Sequence, residues 1–164
     1  MEKTLTVLNK MLEEKLFEKY AIGGAIASIF YIQPLATYDL DIMILLDVNK
    51  STLISLSPIY NWLEQKGYEA EKEHIIIEGI PVQFIPVYND LVKEAVECAK
   101  EQNYETVITF VIKPEYLIAI MLDTGRTKDN ERIVRFLEEA EIDFVLLEKI
   151  LSKYNLIEKF KKFK

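Results

Sequence analysis

The sequence holds one cysteine, Cys98, and one histidine, His74, in 164 residues. A single thiol forms no intramolecular disulfide and builds no cysteine cage for zinc. A single imidazole excludes the paired histidines of a zincin-type centre. Five glycines and five prolines are too few for a collagen-like, elastic or linker-dominated chain. No stretch approaches the ~20 apolar residues that a membrane span requires, and the run Ile42-Met43-Ile44-Leu45-Leu46 has the length of a strand. The first twenty residues lack an apolar signal-peptide core, and the last five carry no cysteine to accept a lipid. The expectation is a cytoplasmic protein without a membrane partner. Basic residues are also the minority, 20 against 27 acidic, for a formal charge of −7. That balance excludes coating nucleic acid by bulk charge, although it permits a local basic face.

Half of the residues are hydrophobic, enough to bury a real core and to exclude wholesale disorder. The length suits one domain, or one domain with a small appendage. Charge divides unevenly. Residues 1–112 carry 9 basic and 17 acidic side chains, whereas residues 113–164 carry 11 and 10. The change falls at Lys113-Pro114, where the proline also offers a helix start, so a soft boundary is placed between a 1–112 unit and a 113–164 unit.

Periodicity supplies the elements. Leu5, Leu8, Leu12 and Leu16 predict an amphipathic helix over 3–18. A short strand at 20–22, the turn Gly23-Gly24 and a buried helix over 25–31 follow, with Pro34 beyond the helix end. A strand over 39–47 precedes a helix over 51–66 closed by Gly67. Residues 68–73 and 74–78 read as two short strands or one bent strand, and 81–86 as a strand with proline near each end. A helix over 89–100 with Asn89 as N-cap precedes a β-branched strand over 106–112. Helices over 115–124, 129–139 and 143–154 and a basic tail complete the chain. The fold class is α+β, a mixed front and an all-helical rear.

Asp39 and Asp41 stand out. Strand side chains alternate, so acids at i and i+2 share one face, roughly 6.5 Å apart at the α-carbon, while Leu40, Ile42 and Ile44 point into the core. Two carboxylates so placed repel unless a cation lies between them. With no histidine or cysteine cluster the cation would be Mg²⁺ or Mn²⁺; the alternative is a solvated strand entrance. Gly23-Gly24, between a strand and a helix, has the pattern of an anion-cradling turn, or of a plain connection.

Ile22-Gly23-Gly24-Ala25 followed by Thr37-Tyr38-Asp39-Leu40-Asp41-Ile42 resembles the signature of the nucleotidyltransferase superfamily, the DNA-polymerase-β-like fold. Lys113-Pro114-Glu115-Tyr116-Leu117-Ile118-Ala119 and Thr124-Gly125-Arg126-Thr127-Lys128-Asp129 look like the helical region of its small prokaryotic members, those related to AbiEii-type toxins and the minimal nucleotidyltransferases. The resemblance implies a palm of mixed strands with flanking helices and a C-terminal helical bundle. It implies that Gly23 and Gly24 approach the phosphates of a nucleoside triphosphate, and that Asp39 and Asp41 bind magnesium bridging those phosphates. Three departures accompany it. Gln83 stands at the position of a third carboxylate, Ile32 and Leu35 stand where a glycine and a basic residue are common, and Met121 stands where a lysine is common. A neutral amide orients a hydroxyl but does not serve as a base. Glu78 and Asp90 are the acids considered as substitutes for it.

Arg126 and Lys128 read as a phosphate clamp, or as a helix-joining loop with Asp129 as N-cap and Arg132 and Arg135 on a solvated face. Thr37 would bond a phosphate or the adjacent backbone. His74 is expected at the surface, Cys98 buried on the apolar side of its helix, Trp62 and Tyr60 in the core, and the tail as a helix end packing its phenylalanines. The functional expectation is transfer of a nucleoside monophosphate from an NTP to a hydroxyl of a tRNA or protein, in preference to a small molecule. The rival expectation is a nucleotidyltransferase-like module that binds nucleotide, or a toxin or antitoxin partner, without catalysis.

Overall fold

The computed structural model describes residues 1–50 and 53–164. Eight α-helices and seven strands are found among them: α1 (Glu2–Glu13), β1 (Lys19–Ile22), α2 (Gly24–Ser28), β2 (Leu40–Leu45), α3 (Ser57–Gln65), β3 (Glu69–Glu71), β4 (His74–Ile77), β5 (Ile80–Pro86), α4 (Asp90–Glu97), β6 (Lys100–Tyr104), β7 (Val107–Val111), α5 (Pro114–Thr124), α6 (Thr127–Glu139), α7 (Phe144–Lys153) and α8 (Ile157–Phe160). The class is α+β, as expected.

The strands form one mixed sheet in the order β3-β4-β5-β2-β1-β7-β6. β2 lies between β1, which it meets antiparallel, and β5, which it meets in parallel. Leu40, Ile42 and Ile44 are fully buried, and α1 lies over that face. The Asn9 amide donates to the Ile108 carbonyl, and the Tyr20 hydroxyl donates to the Asn9 carbonyl oxygen at 2.7 Å. On the opposite face Met43, Ile85 and Leu117 of α5 line one cavity, and α4 packs across β1 and β2.

Three two-residue turns set the outer registers. Ile77 pairs with Ile80, Glu71 with His74 and Tyr104 with Val107. Glu78 and Gly79 both have positive φ, 51° and 80°, the combination whose twist matches a tight hairpin and which glycine adopts without strain.

Several boundaries differ from the sequence expectation. The stretch 68–78 forms two short strands, the first of the two readings, shorter than expected and paired as a hairpin. The helix expected over 51–66 begins at Ser57; Ser51 and Thr52 lie outside the described residues. α4 stops at Glu97, and Lys100–Tyr104 is the edge strand β6. Glu101 and Asn103 of β6 are exposed, so it lacks the apolar alternation that reveals a strand. Because α4 ends before Cys98, that thiol is exposed and not buried as expected. Asn89 caps α4 as expected, accepting from the Val92 amide at 2.8 Å. Trp62 is half-buried against the core, its ring NH donating to Glu14. The tail packs Phe160, 6% exposed, with the Phe163 ring 6.2 Å away. No helix among the described residues is long and apolar enough to cross a membrane.

Glu94 ties the two parts of the chain. Its carboxylate accepts from the Tyr116 hydroxyl on α5 at 2.8 Å and from Lys153 and Tyr154 at the end of α7. These bonds hold its pKa down at about 2. A carboxylate depressed in the folded state stabilises above its unfolded value, and that stabilisation is lost as pH falls toward the folded value. Replacing Glu94 with Gln is therefore expected to cost about 1–3 kcal/mol at pH 7 in urea unfolding. The gap from wild type should narrow between pH 4.5 and about 2.

Candidate active site

The site begins with strand register. Asp41 of β2 pairs directly with Gln83 of β5, and the Gly23 amide donates to the Asp41 carbonyl at 2.9 Å. Ile75 pairs with Val82, which sets His74 beside Gln83. One row therefore crosses the sheet from His74 through Gln83 and Asp41 to Gly23. Side chains paired across strands lie on the same face, so the row presents an imidazole, an amide and a carboxylate to one side.

Asp39 lies just before β2. Its side chain is 58% exposed, and one oxygen is 3.9 Å from His74 Nε2. Asp41 is more deeply set. Burial raises its pKa first, the neighbouring Asp39 charge raises it further, and His74, Arg126 and Lys128 pull the other way. Gly24 explains how the Asp41 carboxylate fits. A Cβ built on Gly24 would come within 2.1 Å of Asp41 Oδ2, and Gly24 has φ +57°. Only a residue without a side chain allows that approach at that backbone angle.

The carboxylate end of the row opens into a cavity of about 220 Å³. Gly24, Asp41 and Gln83 line one side, and Thr124, Arg126 and Arg132 come from the α5–α6 corner. Asp129 organises that corner. It is 1% exposed and accepts from Arg126 Nε at 2.9 Å and from an Arg132 terminal nitrogen at 3.4 Å. The helix starts two residues before Asp129, so this carboxylate is a buried arginine bracket and not the expected N-cap. Arg132, only 18% exposed, lines the cavity instead of a solvated face. Arg135 bridges Glu139 and the Gln33 carbonyl elsewhere.

The structure thus brings Gly24, Asp41, Gln83 and Arg126 together around one cavity, with Asp39 beside it and Lys128 near enough to bias Asp41. Lys128 is exposed, and Thr37 is half-exposed outside the cavity lining. Gly23 spends its amide on the strand ladder. Met121 is a buried part of the lining, so the charge there comes from the two arginines. Neither acid considered as a substitute for a third carboxylate lines the cavity. Glu78 lies in the β4–β5 turn and accepts from the Tyr68 hydroxyl, roughly 13 Å along the strand from the row. Asp90 is exposed at the start of α4.

Sequence reasoning missed His74 and Arg132. The Glu78-Gly79 turn was the available signal for His74, because a two-residue hairpin dictates that it faces Gln83. Arg132 had no local signal, since its burial depends on the Asp129 bracket.

Asp39 and Asp41 could hold one hard cation of the kind that is bound by one or two carboxylates, Mg²⁺ being the usual one. Among the described residues no group of three His, Cys, Asp or Glu could hold a metal ion.

No family model matches the sequence, and no curated protein matches it significantly. The structure is similar to the crystal structure of an antigenic nucleotidyltransferase-like protein from Paracoccidioides brasiliensis, with a TM-score of 0.57 and 16% identity over 82% of this chain and 74% of that one. A likeness at that identity is one of fold, and the fold of this chain is nucleotidyltransferase-like.

Proposed function

We propose that this protein is a metal-dependent nucleotidyltransferase of the small prokaryotic, AbiEii-related kind, with residues 1–112 as palm and 113–164 as a helical region closing the cleft. It would move a nucleoside monophosphate from an NTP to a hydroxyl of a tRNA or protein in the cytoplasm. The observation carrying the reading is one cavity whose lining joins Asp41 to Arg126 and Arg132, with the Asp39 charge close enough to act on Asp41. Acids against arginines suit a ligand that is itself a polyanion carrying a cation.

Asp39 and Asp41 would hold Mg²⁺, or Mn²⁺, which when bound would neutralise charge on the phosphates. Arg126 and Lys128 would offset the charge of the departing pyrophosphate. Gly24 leaves room for the Asp41 carboxylate, and the Gly23-Gly24 turn would border the phosphates. The acceptor oxygen would bond to the α-phosphorus as the bond to pyrophosphate breaks, its proton passing to solvent water, so the chain contributes positioning and charge. Gln83, in register with Asp41, can orient that hydroxyl but cannot take its proton.

Gln83 also supports a second reading, a module that binds nucleotide or a toxin or antitoxin partner without catalysis. Incubation with each labelled NTP, Mg²⁺ or Mn²⁺, and tRNA or protein extract separates the two. Label transfer by wild type and none by the Asp39→Asn/Asp41→Asn double variant is expected. Nucleotide-dependent thermal stabilisation without transfer would favour the second reading. Absence of both effects would exclude each as a nucleotide-binding protein.

Gly24→Ala is expected to lower stability by about 1–2 kcal/mol through its positive φ, and to abolish transfer by displacing Asp41; unfolding and transfer assays check both. Gln83→Glu, which adds a carboxylate beside Asp41, should lower the Mn²⁺ concentration needed for half-maximal thermal stabilisation by roughly tenfold, as a further charged ligand does.

A further inference from the structure

We propose that the groove between the start of α5, the edge strand β6 and the α6–α7 connection binds a guanidinium or primary ammonium group against Glu115. Glu115 stands in the first turn of α5 and is 4% exposed. One carboxylate oxygen accepts from the Asp143 amide at 2.8 Å, and the other makes no hydrogen bond among the described residues. No lysine or arginine forms an ion pair with it there. Buried carboxylates are ordinarily held by cations, and Asp129, 1% exposed, obeys that rule with two arginines. Glu115 is enclosed almost as deeply with only one amide and the partial charge of a helix start. Among the described residues, the fully enclosed side-chain atoms without a partner belong to Ser28, Tyr31 and Arg132. The free Glu115 oxygen therefore keeps accessible surface, and Glu115 lines the groove. The missing partner is a cation that donates hydrogen bonds.

Size and walls identify the cation as organic. The groove measures about 640 Å³, within the roughly 300–1,000 Å³ of small-ligand sites. Phe30 and Tyr31 line it together with Glu115, and aromatic faces attract ammonium and guanidinium groups. Burial, and with it the Glu115 charge, raises the Tyr31 hydroxyl to about 12 against an opposing pull from Gln102, so ring and carboxylate are neighbours. The other charges of the lining are accounted for. Glu139 is held by Arg135 and the Gln33 amide. Glu141 and Asp143 are exposed acids, and Lys100 and Lys113 make no ion pair among the described residues. With Glu139 neutralised, three acids against two lysines leave the groove negative. No residue that lines the cavity of Asp41 also lines this groove, so the site does not rest on the nucleotide reading.

The test is calorimetric titration of the full chain, without nucleotide, using two probes. One is agmatine, which carries a guanidinium and an ammonium group; the other is the peptide acetyl-Val-Arg-Val-amide. Saturable binding of at least one is expected. Glu115→Gln should weaken it by roughly tenfold, the scale of a hydrogen bond between charged groups. Glu64→Gln, on the exposed side of α3 and with the same charge change, should bind as wild type does. Tighter binding of agmatine assigns the site to a free organic cation. Tighter binding of the peptide assigns it to an arginine on a segment laid along the edge of β6. Either result supports the proposal. If Glu115→Gln fails to fold, amide NMR of wild type decides: probe-induced shifts at Glu115, Asp143 and Gln102 support the site, and shifts confined elsewhere overturn it. Failure of both probes to bind overturns it, as does equal binding by wild type and Glu115→Gln. Calcium chloride that binds through Glu115 where both probes fail assigns a metal ion and likewise overturns it. Every outcome leaves the nucleotide reading of the cleft to its own assay.

Discussion

The parallel pairing of β2 with β5 is the constraint on which the rest of the molecule depends. It places Asp41 opposite Gln83 and Ile42 opposite Phe84, so the same register settles both the core and the cleft. A slip of one residue would turn every side chain of β2 to the other face, exposing Leu40, Ile42 and Ile44 and burying Asp39 and Asp41 without partners. Burial of the aliphatic residues therefore enforces the position of the acids. The β1 side is held by the same logic, because the Gly23 amide completes the ladder at Asp41 and delivers Gly24 against its carboxylate.

Facing this acidic floor is a corner whose charge is held by burial. Asp129 is almost completely enclosed, and a lone carboxylate there would be strongly disfavoured. Arg126 and Arg132 resolve that by donating to it, and in doing so they are fixed beside the cavity. The cleft consequently has carboxylates on a strand and guanidinium groups on a helical corner, each held by its own local support. Glu94 joins α4 to α5 and α7 at a separate place, tying the helices that close the sheet.

Much of this was legible in the chain. The apolar run over 42–46 had the length of a strand, and the i, i+2 spacing of Asp39 and Asp41 showed which face carries the acids. Asn89 announced a helix start, whereas Gly23-Gly24, read as an anion-cradling turn, gave no sign that Gly24 makes room for the Asp41 carboxylate. The helical rear followed from 3.6-residue periodicity. What stayed hidden involved neighbours remote in sequence. β6 is an edge strand without an apolar face, so local pattern did not separate it from the helix before it. Cys98 looked apolar only while α4 was extended past Glu97. Asp129 had the residue type and place of a cap, and only the fold reveals two arginines converging on it.

By itself, then, the amino-acid order determined the α+β class, the strand carrying Asp41 with Asp39 just before it, and the glycine turn. Those features arise from local periodicity and from backbone angles that few residues adopt. Tertiary structure alone decided that Gln83 and His74 share the row with Asp41, that Arg132 enters the cavity, and that Glu115 is buried against an amide without a cation. Such relations depend on strand register and helix packing between segments tens of residues apart, and no local pattern encodes them.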